Sequence, residues 1–216
     1  GKFLHQVHPH LRGRTNLRFI SQDTLQACDV LFLAQPHGEA QNRIERYAAL
    51  AGTIIDLSAD FRLRDPALHT AVYGAHPAPA WQERFIYGLP EINRAALRET
   101  RYASGVGCNA TATILALVAV LRAGLVQTNQ PIIADIKVGS SEAGSKPSES
   151  SHHPARTGVV RPFQLTGHRH EAEVRQAFAD CGSLDVRLAV TSVEMVRGVS
   201  AAVHVTLPAG LAEKDL

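Results

Sequence analysis

The sequence has little of what marks several classes of protein. Its three cysteines are an odd number at scattered spacing, which predicts no disulfide framework and fits a reducing cytosol, so we expect a cytoplasmic protein. No run of about 18 apolar residues occurs, and no membrane span is predicted. The net charge of +2 is too small to indicate nucleic-acid binding. Neither CxxC nor HExxH spacing occurs, so we expect no metal site.

What remains is the composition of a globular protein, with 45% hydrophobic and 19% charged residues in a chain of 216. Residues 30–34 and 53–57 are short apolar runs that predict buried strands, and residues 39–50 between them have helical character. This order of strand, helix and strand predicts a parallel sheet. Ligands collect at the carboxyl ends of such strands, where Pro36 and residues 58–62 fall.

The rest of the chain predicts a different kind of unit. Residues 66–90 are rich in proline, glycine and aromatic residues, which predicts little regular structure. We place a domain boundary between residues 104 and 105 and expect an α+β unit after it. The elements predicted there, beyond a first helix, are a strand (131–138), a long ordered loop (139–154), a helix (171–179) and two strands paired with each other (185–193 and 199–207).

Cys108 is the strongest candidate for a catalytic residue. It lies in GVGCNATA, which runs into an apolar stretch at residues 113–125 that predicts a helix, so Cys108 is expected at a helix start after glycines that permit a sharp turn. The free amides and dipole of a first helical turn favour an anion, which predicts a thiol pKa below the ~8.5 of free cysteine. The cluster GHRH at residues 167–170 offers His168 as a partner for proton transfer.

A lone cysteine in an apolar segment is more often a buried residue than a nucleophile, and the residues alone leave that alternative open. The Gly-x-Gly turn before Cys108, and the lack of an apolar periodicity that would place it on a core face, favour the nucleophile. Cys28 precedes an apolar run and is predicted to lie in the core. Cys181 is predicted to lie in a turn after a helix.

Seven segments together resemble the N-acetyl-gamma-glutamyl-phosphate reductase family. The segments are VHPHLRGRTNLRF, LAQPHG, DLSADFRLRDP, YGLPE, GVGCNATA, SSHHPARTG and TGHRHEAEV. The arginine branch of that family has an aromatic residue and proline after its cysteine, whereas Asn109 and Ala110 follow Cys108. The sequence is therefore most similar to the branch that acts on 2-aminoadipate 6-phosphate attached to the carrier protein LysW in lysine biosynthesis.

The resemblance implies an α/β fold. Residues 1–104 would form a truncated Rossmann-type parallel-sheet domain, and residues 105–216 an α+β catalytic domain of the semialdehyde/glyceraldehyde-phosphate dehydrogenase type. No glycine-rich dinucleotide loop precedes Val30, and the only methionine is Met195. We therefore expect that the first βαβ unit and the family's C-terminal segment are missing and that this polypeptide alone is inactive.

The resemblance also implies a reaction. Cys108 would attack an acyl phosphate carried on LysW, NADPH would reduce the resulting thioester to an aldehyde, and His168 would act as general acid/base. It implies NADP as cofactor and a homo-oligomer. The residues implied beside these two are Asn109, His170 and Glu173 as supporting groups, Ser58, Arg62 and Arg169 for substrate, and Pro36, Ser141 and Gly144 for cofactor.

Alternatives remain for the weaker assignments and for the function. A surface salt bridge would account equally well for Arg62 or Arg169, and a simple polar turn for Ser141 and Gly144. The function could serve arginine biosynthesis only, or both pathways. A cysteine hydrolase or acyltransferase using Cys108 and His168 would need no nicotinamide. A non-catalytic fragment that binds the carrier protein is the remaining alternative.

Overall fold

The computed structural model describes residues 1–144, 148 and 151–211, and it forms two four-stranded sheets. The strands are β1 Cys28–Leu33, β2 Ala51–Asp56, β3 Ile86–Tyr87, β4 Tyr102–Ser104, β5 Ile132–Val138, β6 Arg161–Gln164, β7 Val186–Ser192 and β8 Val199–His204. The α-helices are α1 Leu4–Val7, α2 Ile44–Leu50, α3 Pro66–Tyr73, α4 Pro90–Glu99, α5 Cys108–Arg122, α6 His153–Arg156 and α7 His170–Ala177. Short 3-10 helices occur at Pro9–Leu11, Gln22–Thr24, Ala40–Asn42, Pro79–Arg84, Ser140–Ala143 and Ala179–Cys181.

The first sheet is entirely parallel, with strand order β1-β2-β4-β3. This confirms the two strands expected around residues 30–34 and 53–57, but only β2 is largely buried, and the prediction that the first strand is buried is wrong. The helix expected at residues 39–50 occurs as two pieces, the 3-10 turn Ala40–Asn42 and α2. Arg43, with φ −130° and ψ 14°, has a non-helical backbone and separates them. The loop that begins at Pro36 lies at the carboxyl ends of β1 and β2.

Apolar packing is uneven across this sheet. Phe61 and Phe85 are fully buried, and their rings stack with centroids 4.1 Å apart. In contrast, β1 exposes 47% of Val30 and 61% of Phe32. Cys28 is also exposed, so the prediction that it lies in the core is wrong. The apolar run identified a strand, but β1 lies at an edge of the described sheet and has few neighbours to cover its faces.

The prediction of little regular structure at residues 66–90 is also wrong, because the segment contains α3, a 3-10 helix and β3. Three of its four prolines begin helices instead of interrupting them. Pro66 occupies the first turn of α3, and the side chain of Asp65 caps that turn by accepting the Ala67 N–H at 2.8 Å. Proline suits a first turn because the amide it lacks has no intrahelical partner there. Pro79 and Pro90 occupy equivalent positions.

The second sheet is mixed, with order β6-β7-β5-β8. β5 pairs with β7 in parallel and with β8 in the antiparallel sense. The strands expected at residues 185–193 and 199–207 are present, but the prediction that they pair with each other is wrong, because β5 lies between them. Alternation of apolar and polar residues shows which face of a strand is buried and does not reveal its neighbours.

Two helices pack together and cover a core on this sheet. α5 contacts β8 and α7, and Ile114, Leu117, Val174, Phe178 and Leu188 are at most 1% exposed. The helix expected at residues 171–179 is confirmed as α7. The loop expected at residues 139–154 contains the turn Ser140–Ala143 and the start of α6, while residues 145–147 and 149–150 lie outside the described residues.

Asp56 ends β2 with a fully buried carboxyl group. Its oxygens accept the Ser58 N–H at 3.1 Å and the Ser58 hydroxyl at 2.8 Å. Burial is the largest influence and raises the pKa of Asp56 from 3.8 to about 6, although the hydrogen bonds from Ser58 oppose it. The folded protein therefore favours the protonated carboxyl group, in the middle of the sheet's carboxyl edge.

This raised pKa predicts how stability depends on pH. The contribution of Asp56 is complete below pH 3.8 and is lost as pH rises through about 6, a loss of at most about 3 kcal/mol at ~1.4 kcal/mol per unit. Urea unfolding at pH 4 and pH 7.5 should show wild type losing stability relative to Asp56→Asn, which cannot titrate. Asp29→Asn, on exposed β1, is the control. A difference between wild type and Asp56→Asn that stays constant with pH contradicts the assignment.

Candidate active site

The turn between β4 and α5 is shaped by close contact with α7. Gly107 has φ −74°, a conformation open to any residue, so backbone freedom does not explain the glycine. A Cβ atom at this position would lie 2.6 Å from Glu173 Oε1 and 2.7 Å from His170 Nε2. Glycine is required because two side chains of α7 press against the backbone just before Cys108.

Glu173 is the fully buried group that makes this contact. Its Oε2 accepts the Gly107 N–H at 2.9 Å and the Tyr87 hydroxyl at 2.7 Å. Its Oε1 lies 3.4 Å from Arg62 Nη1 and 3.7 Å from His170 Nε2. Sequence reasoning expected Glu173 to orient His168 or bind substrate, whereas here it fixes the residue that precedes Cys108.

Cys108 is the first residue of α5 and is exposed. Its Sγ donates to Glu142 Oε1 at 3.9 Å. The prediction of a lowered thiol pKa is wrong, because partial desolvation, followed by the negative charge of Glu142, raises the pKa of Cys108 above 9.0. The backbone amides of Asn109 and Cys108 do favour the thiolate as expected, but their effect is smaller. A glutamate beside the sulfur outweighs the helix start.

His168 is buried and its tautomer is fixed by the turn around it. Its Nδ1 accepts the His170 N–H at 3.1 Å, so in the neutral ring the proton resides on Nε2. Glu171 Oε1 holds the turn by accepting the backbone N–H of His168 at 3.2 Å and of Leu188 at 3.1 Å. Burial, and then the charge of Arg169, lower the pKa of His168 to about 4. At neutral pH the ring is an uncharged hydrogen-bond donor.

Asn109 lies between the cysteine and the histidine. Its Nδ2 is 3.3 Å from Glu142 Oε1 and 3.4 Å from His168 Nε2. Because Nδ2 and the protonated Nε2 are both donors, their contact is not a hydrogen bond and the Nε2–H is free for a ligand. Glu142 thus contacts both Cys108 and Asn109, and Asn109 lies beside His168, with no direct hydrogen bond between Cys108 and His168.

His170 is a second buried imidazole beside the first. Its ring contacts that of His168 edge to face, with centroids 4.7 Å apart. Burial, and then the proximity of His168, lower the pKa of His170 to about 3, so it is neutral as well. Its Nδ1 is buried and has no partner within the described ranges. His170 therefore packs against the proton-donating ring and contributes no charge to the site.

The residues expected to bind substrate are in different environments. Ser58 is buried, donates to Asp56 and accepts the Asp60 N–H at 3.1 Å, so its hydroxyl is already bonded within the protein. Arg62 forms a salt bridge with Glu173. A salt bridge was the alternative explanation for this arginine, but the observed one is buried and does not lie at the surface. Arg169 is exposed beside His168. Their roles toward substrate remain predictions.

The residues expected to bind cofactor lie in two separate loops. Pro36 is exposed after β1, in a loop that Asp60 holds by accepting the Gly38 N–H at 2.7 Å and the Gln41 N–H at 3.0 Å. Asp60 Oδ1 also lies 2.6 Å from His37 Nδ1.

Ser141 and Gly144 are exposed on the 3-10 turn that carries Glu142, where the Ser141 N–H donates to Val196 O at 2.8 Å. This turn positions Glu142 against Cys108.

Four site residues were not identified from the sequence: Tyr87, Asp60, Glu142 and Glu171. Each lies inside a segment that carries the family resemblance or, for Glu142, inside the polar loop that follows β5. The available signal was therefore position within a motif. The side-chain partners of Tyr87, Asp60 and Glu142 in the site are far away in the chain and cannot be inferred from spacing. Glu171 bonds both to nearby His168 and to distant Leu188.

The described part of the chain has neither a metal-ligand cluster nor a membrane-spanning helix. No group of three or more histidine, cysteine, aspartate or glutamate side chains there is arranged to hold a metal ion. No helix among the same residues has the length and apolar character needed to cross a membrane.

Two family models match the chain and divide it between them. Residues 1–100 match the NAD binding domain of semialdehyde dehydrogenases, and residues 108–216 match their dimerisation domain. The chain belongs to the semialdehyde dehydrogenase family.

Solved semialdehyde dehydrogenases have the same fold. An aspartate semialdehyde dehydrogenase from Francisella tularensis is 16% identical with a TM-score of 0.63, covering 90% of this chain and 63% of that one. Aspartate semialdehyde dehydrogenase II from Vibrio cholerae is 15% identical with a TM-score of 0.62, covering 87% and 58%. The fold-class prediction is confirmed.

Curated semialdehyde dehydrogenase relatives confirm the resemblance to the LysW branch. The chain is 47% identical, over its full length, to a putative LysW-L-2-aminoadipate 6-phosphate reductase of Thermomicrobium roseum, covering 62% of that protein. It is 43% identical, over 97% of its length, to the LysW-L-2-aminoadipate 6-phosphate reductase of Deinococcus radiodurans, covering 60%. A LysW-L-2-aminoadipate/LysW-L-glutamate phosphate reductase of Sulfurisphaera tokodaii is 41% identical, with 63% covered. The chain spans about three-fifths of the length of these relatives.

The Tyr87–Glu173 hydrogen bond should contribute measurably to folding. Tyr87→Phe removes one donor from a buried carboxylate, which costs about 1.5–3 kcal/mol for a bond to a charged group. Denaturant unfolding measures this loss. Tyr102→Phe is the matched control, because Tyr102 is a buried tyrosine on neighbouring β4 whose hydroxyl makes no hydrogen bond to a described residue. Equal effects of the two substitutions contradict the role given to Glu173.

Glu142 should suppress the reactivity of Cys108. Glu142→Gln removes the negative charge beside the sulfur, so at pH 7 the thiolate fraction should rise by up to about tenfold, the factor for one pKa unit. The measurement is the rate of Cys108 alkylation by iodoacetamide, followed by mass spectrometry. Glu91→Gln, in the exposed first turn of α4, is the control. A slower reaction in Glu142→Gln would show that the carboxylate assists the thiol instead.

Proposed function

We propose that the protein catalyses the NADPH-dependent reduction of an acyl phosphate to a semialdehyde, through a thioester on Cys108. The observation that carries this proposal is an exposed cysteine at the start of α5, followed by Asn109, whose side chain lies beside the free Nε2–H of His168, in a chain of the semialdehyde dehydrogenase family. The names of the similar proteins support 2-aminoadipate or glutamate linked to LysW as the acyl chain.

The first step forms the thioester. Sγ of Cys108 attacks the carbonyl carbon of the acyl phosphate, the C–S bond forms, and the C–O bond to phosphate breaks so that inorganic phosphate leaves. The thiol proton goes to water, because Cys108 is exposed and Nε2 of His168 already carries a proton. The raised pKa of Cys108 makes this step faster at higher pH until the thiol is ionised.

The second step reduces the thioester. When bound, NADPH supplies the hydride that adds to the thioester carbonyl carbon. His168 donates a hydrogen bond from Nε2–H to the carbonyl oxygen as negative charge develops there, with the Asn109 backbone amide as a second donor. The hemithioacetal oxyanion then re-forms the C=O bond as the C–S bond breaks, which releases aldehyde and thiolate.

The cofactor fits the carboxyl edge of the first sheet. Ser104 Oγ, at the end of β4, and Arg62 Nε are buried there without a partner among the described residues, as expected where a polar ligand binds. The loop at Pro36 and the turn carrying Ser141 and Gly144 are the segments that would hold it. The match of residues 1–100 to an NAD binding domain supports a nicotinamide cofactor. NADP as the preferred form is part of the proposal, as are a cytoplasmic location and the homo-oligomer that the dimerisation-domain match supports.

The site gives less support to the alternatives. A cysteine hydrolase or acyltransferase that uses His168 as its base would need an unprotonated Nε2, whereas Nε2 of His168 carries the proton. A function in arginine biosynthesis alone receives no support from relatives named for aminoadipate, or for aminoadipate and glutamate together. LysW-linked substrates therefore remain the proposal.

The test of the reaction follows NADP reduction with aldehyde and phosphate, using the protein with all the sequence that its gene encodes. Cys108→Ser should abolish turnover, while Cys181→Ser, which alters a cysteine remote from the site, should leave it unchanged. His168→Asn should lower the rate about a hundredfold, by the usual scale of acid/base catalysis. Undiminished turnover in Cys108→Ser would exclude the thioester.

Substrate choice is tested with the same assay. We expect the LysW-linked aminoadipate or glutamate semialdehyde to be oxidised at lower concentration than free N-acetylglutamate semialdehyde, because the carrier adds contacts outside the reacting centre. A preference for the free compound would assign the protein to the arginine branch.

A further inference from the structure

A cavity of about 460 Å³ adjoins the cysteine site. It shares Glu142 with that site, since this residue both lines the cavity and accepts from Cys108 Sγ. Arg62 and Arg169, the arginines expected to bind substrate, are not among its described lining residues. That lining consists of Glu142, Ala143, Arg156, Arg161, Phe163 and Ser192.

Arg156 is the unusual member of this lining. It is only 8% exposed, and its Nη2 donates to Val138 O at 3.2 Å, at the end of β5, and to Val193 O at 2.9 Å, just after β7. Its Nε is buried without a partner among the described residues, and no carboxylate of those residues forms an ion pair with it. A buried guanidinium without a counter-charge is costly, and an anion bound in the cavity would supply the counter-charge that the described residues do not.

The rest of the cavity fits a short chain that ends in an anion. Arg161, at the start of β6, adds a second guanidinium from an exposed position. Two planar donor forks suit the paired oxygens of a carboxylate or phosphate. Phe163 provides an apolar wall for methylene groups. Glu142 repels anions at the cysteine end, so an anion is directed to the arginine end.

We propose that Arg156, together with Arg161, forms an anion-binding subsite that holds a carboxylate or phosphate of the substrate while its reactive carbon faces Cys108. This subsite rests on the proposed function only for the identity of the molecule that carries the anion. Anchoring the far end of a flexible chain lowers the entropy cost of bringing its carbonyl carbon to the sulfur.

Protection of Cys108 from alkylation tests the subsite without turnover, cofactor or LysW. The probes are glutarate, for a carboxylate on a short chain, and inorganic phosphate, each added to the protein during iodoacetamide labelling of Cys108. At ten times its Kd, a protecting anion should slow labelling about elevenfold by mass action. Protection by glutarate identifies a carboxylate subsite, and protection by phosphate alone identifies a phosphate subsite.

The variants connect that protection to the arginines. Arg156→Gln and Arg161→Gln should each raise the Kd of the protecting anion about tenfold or more, which is the scale of a lost charge-assisted hydrogen bond. Arg156→Lys keeps the charge without the planar fork and should protect to an intermediate degree. Arg187→Gln, in an exposed pair with Asp185 outside the cavity, should protect as wild type does. Because Arg161 is exposed, its variant is informative even where loss of Arg156 unfolds the protein.

Two results would overturn the subsite. One is the absence of protection by either anion in wild type, and the other is wild-type protection in both glutamine variants. Protection that depends on Arg156 in a protein without reductase activity would support the subsite and contradict the proposed reaction. Normal reductase activity without such protection would support the proposed reaction and contradict the subsite. The two proposals can therefore fail separately.

Discussion

The buried carboxylate of Glu173 is the group on which the site depends. It joins Tyr87 from the first sheet, Gly107 from the turn before the nucleophile, and Arg62 from the loop after β2. A carboxylate is stable in the interior only when its oxygens accept hydrogen bonds or ion pairs. Displacing any one of these partners would leave part of a buried charge uncompensated, so the carboxylate fixes the position of each partner. The turn before Cys108, the strand β3 and the helix α7 therefore share one electrostatic centre.

Burial and the charge of Glu142 explain why the pKa of Cys108 is not lowered by its position at a helix start. A helix start does lower the pKa of a thiol, and the amides of Cys108 and Asn109 act in that direction. Burial of the sulfur and the charge of Glu142 act in the other direction and are stronger. Glu142 comes from a loop 34 residues away, and nothing in the sequence around Cys108 reveals it. The thiol of Cys108 is thus held in its protonated, less reactive form.

Much of the fold could be read from the sequence, because apolar runs and alternation record which faces are buried. The parallel first sheet, the cysteine at a helix start, β5 and α7 were all predictable in this way. The strand order β7-β5-β8 was not predictable, because alternation of apolar and polar residues does not identify which strand pairs with which. The helices at Pro66 and Pro79 were missed because a proline at a first turn and a proline in a loop look alike by composition. In the site, residue types were foreseeable but the tautomer of His168 and the long-range partners of Glu173 were not.

The open edge of β1 has a consequence for the solution behaviour of the chain. Unpaired backbone groups beside the exposed side chains of Val30 and Phe32 form a template to which a strand from another molecule can add. Such pairing is second order in concentration and is opposed only weakly by a net charge of +2.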